Sequence, residues 1–229
     1  MKVSTITVAS AAAQEQSEEQ APVQEQQSTG KVEKTGGKRF GYNYIFIKSY
    51  KESKKNDVVK CLYIKSLTNF GFCVIKEGSF GDTKDPEGRD IIDRLKWQRQ
   101  LHEQLQDKIP MPRLLGHFEE NGNYYLVIGH VKGKALQKVI GETQKKDLRQ
   151  SLITGDKVGT RFLDYLIQIT GILEKLHGEG IVHRDATPNN YMITRSGKVA
   201  LIDMEMSYSL PLQFPTPAFQ LGTFGYMSP

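Results

Sequence analysis

The sequence contains only two cysteines, and it has no apolar run near the roughly 18 residues that a membrane span requires. Cys61 and Cys73 belong to neither a CxxC motif nor a metal-ligand spacing, so no thiol-based metal or redox site is predicted. Two free thiols in apolar, strand-like segments fit a reducing compartment, and a disulfide between neighbouring strands is the alternative. We therefore expect a cytoplasmic protein without a membrane partner.

A signature of nucleic-acid binding is also missing, although the chain has a formal net charge of +5. A scattered excess of lysine commonly serves solubility, and it also suits ligands that carry phosphate. Residues 10–39 are rich in Gln, Glu, Ser, Thr, Lys and Gly and offer almost nothing to bury. Such a segment cannot offset its own ordering entropy, so we predict a disordered Gln/Glu-rich tail over residues 1–39 and no nucleic-acid partner.

The next part of the chain has the pattern of three strands, one helix and two further strands. The strand-like segments are rich in β-branched and aromatic residues, and the helix repeats its apolar residues at near-helical intervals. These segments cover residues 42–50, 57–66, 70–78, 89–106, 113–118 and 124–131. The inward apolar residues of the helix would be Ile91, Leu95, Leu101 and Leu105.

The second half of the chain is more helical. Residues 135–141 predict a short helix, and residues 161–177 predict a longer amphipathic helix. One face of the longer helix would carry Phe162, Leu166, Ile169, Leu173 and Leu176. A hairpin follows around the turn RSGK, whereas residues 143–160 show no clear pattern and the last 25 residues look loop-like.

Polar residues that could take part in catalysis stand where strands or loops end. Lys76 ends the apolar strand CVIK, and Asp203 comes directly after the apolar pair of LIDME. Between them, HRDATPNN follows the long predicted helix and sets Asn190 five positions after Asp185. Taken singly, each residue has an ordinary explanation as a solvated strand end or a turn residue. Their order along the chain favours one shared site instead.

In this order, the segments resemble the protein-kinase superfamily, whose members carry VAIK, HRD with an Asn five positions later, DFG and APE. The corresponding segments here are CVIK, HRDATPNN, IDME and GTFGYMSP. The resemblance implies an α+β, bilobal fold with a five-stranded antiparallel N-lobe that carries one helix, and a partial, mainly helical C-lobe. The N-lobe would span residues 40–131, and the incomplete C-lobe would span residues 132–229 and end at the APE-like segment.

The resemblance also implies ATP and Mg²⁺ as cofactors and assigns a role to each polar residue. Catalysis of phosphoryl transfer is mostly positioning and charge neutralisation. Lys76 would hold the α- and β-phosphates as a point charge, and Asn190 and Asp203 would give oxygen ligands to Mg²⁺. Asp185 would orient the attacking hydroxyl group and accept its proton.

The adenine pocket follows from the same resemblance. Ile128 would lie at the back of the pocket, and backbone groups of Gly129 and Val131 would meet the adenine edge. Val58, or the valine after it, would cover the ring, and Met192 would lie beneath it. For any one of these apolar residues, an ordinary core position is the alternative.

HRDATPNN and IDME depart from the usual protein-kinase pattern. Thr187 stands where Ser/Thr protein kinases usually carry Lys, and Glu205 replaces the glycine of DFG. With GTFGYMSP, these segments look most like the kinase domain of class III/IV lanthionine synthetases, which phosphorylate Ser/Thr of a precursor peptide. His183 would be scaffold beneath the loop, and Arg184 would pair with a charge on the segment after Asp203.

Two further departures concern the N-lobe. The segment SYKESKKND contains no glycine where kinases have a glycine-rich loop, so Lys54, Lys55 or a serine would have to approach the phosphates instead. On the helix, Gln98 is the inward polar residue where an acidic partner of Lys76 is usual, and Glu103, which is turned away from the apolar stripe, is the alternative. Glutamine can accept a hydrogen bond from lysine but cannot neutralise it.

The sequence therefore leaves more than one function open. The leading hypothesis is an ATP-dependent kinase that acts on Ser/Thr of a peptide or protein. The alternatives are a pseudokinase-like binding module or inactive synthetase fragment, and a small-molecule kinase similar to aminoglycoside phosphotransferases. Because the C-lobe is incomplete, the long helix would expose apolar surface, which predicts a partner chain that completes the lobe.

Overall fold

The computed structural model describes residues 39–40, 43–51, 56–81, 84–143, 148–220, 223 and 226. The predicted tail lies outside this part as far as residue 38, and so do Lys54, Lys55 and most of GTFGYMSP. The described residues all belong to one compact unit, Thr35–Pro229. Among these residues, no helix is both long enough and apolar enough to cross a membrane.

The N-terminal half forms a single sheet of six strands. The strands are β1 (Arg39–Phe40), β2 (Tyr44–Lys51), β3 (Asn56–Ile64), β4 (Phe70–Gly78), β5 (Leu114–Glu120) and β6 (Asn123–Gly129). Their order across the sheet is β1-β2-β3-β4-β6-β5, and every neighbouring pair is antiparallel. The five predicted strands are confirmed. The edge strand β1 was not predicted, because two residues are too few to show an alternating pattern.

Helix α1 (Ile91–Leu105) packs on one face of this sheet. Asp90 begins the helix, since its side chain accepts a hydrogen bond of 2.7 Å from the amide of Ile92, and Asp93 accepts one of 2.9 Å from the amide of Asp90. The four apolar residues predicted to face inward are all buried. Gln98 and His102, two polar residues of this helix, are buried as well.

The opposite face of the sheet covers a second apolar cluster, which contains both cysteines. Cys61 and Cys73 lie directly opposite each other on β3 and β4 and are free thiols, as predicted. Burial raises the pKa of Cys61 to about 12 and that of Cys73 to about 11, so both thiols remain protonated at neutral pH. They behave as small apolar core residues.

The C-terminal half combines helices with short strands. Its elements are β7 (Gly133–Ala135), α2 (Leu136–Thr143), α3 (Leu148–Thr154), α4 (Lys157–Gly178), β8 (Ile181–Val182), a 3-10 helix (Pro188–Asn190), β9 (Tyr191–Thr194), β10 (Val199–Leu201) and β11 (Tyr208–Ser209). The predicted hairpin is β9–β10, and β7 extends it to three strands. The α+β, bilobal, kinase-like fold is confirmed.

The unassigned stretch 143–160 contains α3 and the start of α4. Asp156 caps α4 by accepting hydrogen bonds of 2.7 Å and 2.9 Å from the amides of Val158 and Gly159. A Cβ atom at Gly159 would lie 2.0 Å from the Ser151 carbonyl oxygen, so the two helices approach each other at a glycine. Because α3 is short and polar, its periodicity was too weak to predict it.

The buried face of α4 is rotated relative to the predicted one. Phe162 and Leu176 are buried as expected, and they share that face with Tyr165 and Ile172. Leu166 was predicted to face inward, but it is 51% exposed. Helix α3 and the strands β8 and β10 contact α4, and Tyr165 and Ile172 belong to the buried cluster on its inner side, so Leu166 faces solvent.

Candidate active site

Lys76 is buried on β4 and contacts two elements. Its Nζ donates a hydrogen bond of 2.9 Å to Oε1 of Gln98 on α1, and it lies 2.7 Å from Oδ1 of Asp203. Gln98 is therefore the inward partner that the sequence indicated. Glu103 turns away from the sheet and lies 3.5 Å from Nε of Arg99.

Asp203 comes two residues after β10 and is the anionic partner of Lys76. The amide of Ile202 donates a hydrogen bond of 2.9 Å to the carbonyl oxygen of Asn190, which sets the end of the hairpin beside the 3-10 helix. Burial alone would raise the pKa of Asp203, but the charge and hydrogen bond of Lys76 outweigh it and hold this pKa below its ordinary value. Asp203 is thus an anion at neutral pH.

Asp185 and Asn190 are joined directly. The Nδ2 of Asn190 donates to the carbonyl oxygen of Asp185 at 2.7 Å and to its Oδ2 at 2.8 Å. The amide nitrogen of Asn190 is thereby engaged, which leaves its Oδ1 as the side-chain atom that can bind a cation. The other carboxylate oxygen of Asp185 accepts a hydrogen bond of 2.8 Å from the hydroxyl group of Thr223.

His183 connects the two aspartates through their backbone. Its Nδ1 accepts a hydrogen bond of 3.2 Å from the amide of Asp185, so its Nε2 carries the proton and donates to the Asp203 carbonyl oxygen at 2.8 Å. Burial lowers the pKa of His183, so the ring is neutral at pH 7. The predicted scaffold position of His183 beneath the loop agrees with these contacts.

Arg184 does not make the contact that the sequence suggested. It adopts a left-handed backbone conformation with φ 64°, and its guanidinium group donates to the carbonyl oxygens of Phe219 at 2.9 Å and Met206 at 3.4 Å. The expected charge on the segment after Asp203 is replaced by main-chain carbonyl groups. A charge pattern in the sequence cannot reveal such a partner.

Comparison with known proteins agrees with this geometry. The family described as "Protein kinase domain" matches residues 57–229. The chain belongs to this family.

The similar curated proteins are serine/threonine-protein kinases. Nek1 of Mus musculus is 29% identical over 171 residues, which are 74% of this chain and 13% of that protein. Serine/threonine-protein kinase B of Synechocystis is 30% identical over 129 residues, which are 52% of this chain and 21% of that protein. PknA of Nostoc is 32% identical over 124 residues, which are 51% of this chain and 20% of that protein. The chain therefore spans a small part of the length of these relatives.

In this kinase domain, the predicted adenine-pocket residues Val58 and Ile128 lie on the same face of the sheet as Lys76. Val58 is opposite Lys76 in register, and Ile128 is opposite Val74, two residues before it. The amide of Gly129 donates to the Arg113 carbonyl oxygen at 2.8 Å, so its own carbonyl group is the one that can meet a base.

The other two residues predicted for the adenine pocket, Val131 and Met192, lie outside the N-terminal sheet. Val131 is half-buried in the connection that follows β6, and Met192 is half-buried on β9, opposite Ala135 and Ala200. Val58 and Ile128 lie on the sheet, whereas Met192 lies on the hairpin. No role of these residues toward a nucleotide follows from their placement alone.

Sequence reasoning missed one acidic contact at the site. The backbone amide of Glu205 donates to Oδ1 of Asp203 at 3.3 Å, and its Oε1 lies 3.7 Å from Nη1 of Arg94 on α1. Burial and the charge of Asp203 raise the pKa of Glu205. Arg94 precedes Gln98 by four residues, which puts both side chains on one face of α1 and could have signalled this contact.

The described residues contain no group of three or more His, Cys, Asp or Glu side chains that could hold a metal ion. A cation site built from Asn190 and Asp203 would thus have two protein ligands and would rely on phosphate and water for the others. Mg²⁺ characteristically binds in this way, because it keeps several waters and binds through one or two carboxylates plus substrate phosphates. The donor set therefore fits Mg²⁺ with a bound phosphate.

Proposed function

We propose that this chain is an ATP-dependent, Mg²⁺-requiring phosphotransferase that acts on a Ser or Thr hydroxyl group of a peptide or protein. The observation that carries the proposal is the ion pair of 2.7 Å between the buried Lys76 and Asp203. It joins a cation from the sheet to an anion from the hairpin at the point where the two lobes meet. Phosphoryl transfer is catalysed mainly by positioned groups that neutralise the charge on the phosphates and their metal ion.

Each polar residue has a role in this proposal. Lys76 contacts the α- and β-phosphates, and Asp203 and Asn190 give oxygen ligands to Mg²⁺. Asp185 orients the acceptor hydroxyl group and takes its proton, while the hydrogen bonds from Asn190 and Thr223 hold its carboxylate in place. His183 keeps the two aspartates in register through their main chains.

The nucleotide would bind between the sheet and the hairpin. Val58 would cover the adenine ring, Ile128 would close the back of the pocket, and Met192 would lie beneath the ring. The Gly129 carbonyl group and the Val131 amide would bind the edge of the base. Support comes from the shared sheet face of Val58, Ile128 and Lys76 and from the engaged Gly129 amide.

A peptide or protein acceptor is favoured over a small molecule by the contact between Thr223 and Asp185. Thr223 belongs to the GTFGYMSP segment, so the segment that resembles a peptide-docking loop touches the proposed base directly. The domain boundaries at residues 39/40 and 131/132, a cytoplasmic location and a lanthionine synthetase-like subfamily belong to the same proposal. Thr187 and Glu205 support the subfamily.

A partner is also proposed for the exposed side of α4. Leu163, Leu166 and Ile167 are 46%, 51% and 68% exposed on one stretch of this helix. Apolar surface of this kind is usually covered in a functional assembly. A partner chain with a complementary apolar surface would pack there.

The second candidate is a non-catalytic, pseudokinase-like module, which Gln98 favours because it leaves Lys76 without an acidic partner on α1. Transfer of labelled phosphate from Mg-ATP to dephosphorylated casein tests the main proposal, with Asp185→Asn as the matched variant. We expect wild-type transfer, no transfer by the variant, and equal thermal stabilisation of both proteins by Mg-ATP. Transfer by Asp185→Asn at the wild-type rate would contradict the assigned role, and no stabilisation at millimolar Mg-ATP would favour the non-catalytic module.

A further inference from the structure

The chain from residue 204 to residue 220, which we call the 204–220 segment, is anchored to the N-terminal half by Arg89. Arg89 lies just before α1, and its Nη1 donates a hydrogen bond of 2.6 Å to the Pro217 carbonyl oxygen. Its guanidinium carbon lies 4.5 Å from the centre of the Phe219 ring, a cation–π contact. Phe219 is only 3% exposed, so this contact is shielded from water.

Arg89 is itself held in a fixed orientation. Its Nε and Nη2 each lie 2.8 Å from Oδ2 of Asp85, and Nη2 lies 3.3 Å from Oε2 of Glu87. The side chain is 15% exposed. A guanidinium group that is fixed by carboxylates on one side presents its remaining N–H group and its face in one direction. Because the carboxylates already order the side chain, its contact with Phe219 costs little additional conformational entropy.

Phe219 lies between two arginines and leads to the proposed base. Arg89 contacts its ring, and Arg184 donates to its carbonyl oxygen at 2.9 Å. Four residues later, Thr223 donates to Asp185 at 2.8 Å. Phe219 is thus close in sequence to the residue that holds the proposed base.

The middle of the 204–220 segment is anchored in the same way. Trp97 on α1 donates its Nε1–H to the Ser207 carbonyl oxygen at 2.7 Å, and its ring meets Phe214 edge-on at 4.9 Å. The groups that take part in these two contacts are main-chain or aromatic groups. The helix therefore orders the segment without any added charge.

The two serines at the start of this segment, Ser207 and Ser209, offer poor sites for an activating phosphate. Ser207 is fully buried and Ser209 is 2% exposed, and the Ser207 hydroxyl donates to the His183 carbonyl oxygen at 3.4 Å. A phosphate on either serine would have to displace packed core. Arg89, Arg94 and Arg184 contact this segment and are already bound to carboxylates, carbonyl groups and an aromatic ring.

We propose that Arg89 is a positioning residue that fixes the 204–220 segment in its catalytic arrangement, so that phosphoryl transfer needs no phosphate on this segment. The inference rests on the proposed function and adds to it how the same site is regulated. Arg89 itself provides the anchoring that an added phosphate would otherwise have to provide. It acts on Asp185 through Phe219 and Thr223 and does not touch the reacting atoms.

The first experiment compares steady-state kinetics of full-length Arg89→Ala, Arg89→Lys and the control Arg161→Ala, with dephosphorylated casein as acceptor. Arg161 is an exposed arginine on α4. We expect kcat/KM for casein to fall roughly tenfold in Arg89→Ala, because a cation–π contact and a charged hydrogen bond are lost. The KM for ATP should stay within twofold, Arg89→Lys should recover part of the loss, and Arg161→Ala should match wild type. An equal loss of kcat/KM for casein and for ATP in Arg89→Ala, or no loss for either substrate, would overturn the positioning role.

The second experiment tests the absence of a phosphate requirement. Wild-type protein is treated with phosphatase, shown by intact mass to carry no phosphate, and compared with Tyr208→Phe and Thr216→Ala. We expect all three to phosphorylate casein at rates within twofold of untreated protein. A loss of tenfold or more on dephosphorylation, restored when the segment is phosphorylated again, would overturn the inference.

Hydrogen–deuterium exchange separates this inference from the proposed function, because it does not depend on catalysis. In Arg89→Ala, amides of the 204–220 segment should exchange at least fivefold faster than in wild type, while those of β9 and β10 stay unchanged. Unchanged exchange in the segment would refute the anchoring by Arg89. If Arg89→Ala shows this faster exchange but the wild-type protein transfers no phosphate, the anchoring is supported and the proposed phosphotransferase is contradicted.

Discussion

Lys76 and Gln98 form a buried hydrogen bond of 2.9 Å between β4 and α1. Glutamine makes this contact without a charge, so the ion-pair partner of the Lys76 ammonium group is Asp203, at 2.7 Å. The link between α1 and the lysine is thus present even though the usual acidic residue is missing. Its strength depends on how well a neutral side chain satisfies a buried cation.

Replacing Gln98 by Glu should stabilise the protein. The Nε2 of Gln98 is buried and has no acceptor among the described residues, so the change removes an unsatisfied donor and gives Lys76 a second anion. We expect the free energy of unfolding to rise by about 1 kcal/mol. In a chain of this size that corresponds to roughly 2–4 °C in Tm, measured by calorimetry at pH 7.

Gln98→Leu is the matched control for this change. It removes the acceptor for Lys76 and leaves a buried cation with one partner fewer, so its Tm should fall. If Gln98→Glu also melts below wild type, desolvation of the new carboxylate outweighs its attraction to Lys76, and the expectation is wrong.

Removing the hydroxyl group of Thr223 should slow catalysis without weakening nucleotide binding. Thr223 holds one oxygen of the Asp185 carboxylate by a hydrogen bond of 2.8 Å, and a misoriented base takes the acceptor proton less effectively. We expect Thr223→Ala to lower kcat roughly tenfold, which corresponds to about 1.4 kcal/mol of barrier. Thr223→Ser keeps the hydroxyl group and should stay within threefold of wild type in the casein assay. A serine variant as slow as the alanine variant would show that the methyl group, and not the hydrogen bond, matters.

Local pattern predicted the part of this site that strands position. Alternation along CVIK was enough to direct Lys76 inward, and the apolar Leu201 and Ile202 were enough to set Asp203 at the end of a hairpin. Gln98 was recognised because the helical interval of its buried neighbours fixed its direction. These predictions succeeded because a residue's direction within one element follows from the period of that element.

Contacts between distant segments could not be predicted in the same way. Arg89 and Pro217 are far apart in sequence, and a carbonyl group leaves no mark on residue type. The prediction of the buried face of α4 failed for a related reason. Both sides of the helix carry apolar residues, and only tertiary packing decides that Leu166 is exposed. The positions of the candidate site residues were therefore easier to predict than the contacts that anchor them.

Protonation of His102 should make the protein less stable in mild acid. His102 is 1% exposed and donates from Nδ1 to the Pro112 carbonyl oxygen at 3.1 Å, and burial, with a contribution from Lys76, lowers its pKa to about 4. The unfolded chain binds this proton near pH 6.5, so between pH 6.5 and pH 4 the unfolded state holds more protons than the folded state. Stability therefore falls as the pH falls through this window and is unaffected by His102 above it.

The size of the effect can be isolated with His102→Gln, whose amide can still donate to Pro112. From pH 7 to pH 5, urea unfolding should show a loss for wild type that exceeds the loss for His102→Gln by about 2 kcal/mol. His177→Gln, on an exposed histidine of α4, is the control and should follow wild type. Equal slopes for wild type and His102→Gln would mean that His102 takes up its proton in the folded protein.

Arg94 and Glu205 should stabilise the protein as a pair. Their closest charged atoms are 3.7 Å apart, and their side chains are only 19% and 17% exposed, so solvent screens the attraction weakly. A double-mutant cycle with Arg94→Ala and Glu205→Gln, followed by urea unfolding, should give a coupling energy of about 1 kcal/mol. The pair ties α1 to the segment after Asp203, one helical turn before Gln98 contacts Lys76. Simple additivity of the two single variants would show instead that Arg94 and Glu205 are stabilised separately by their other neighbours.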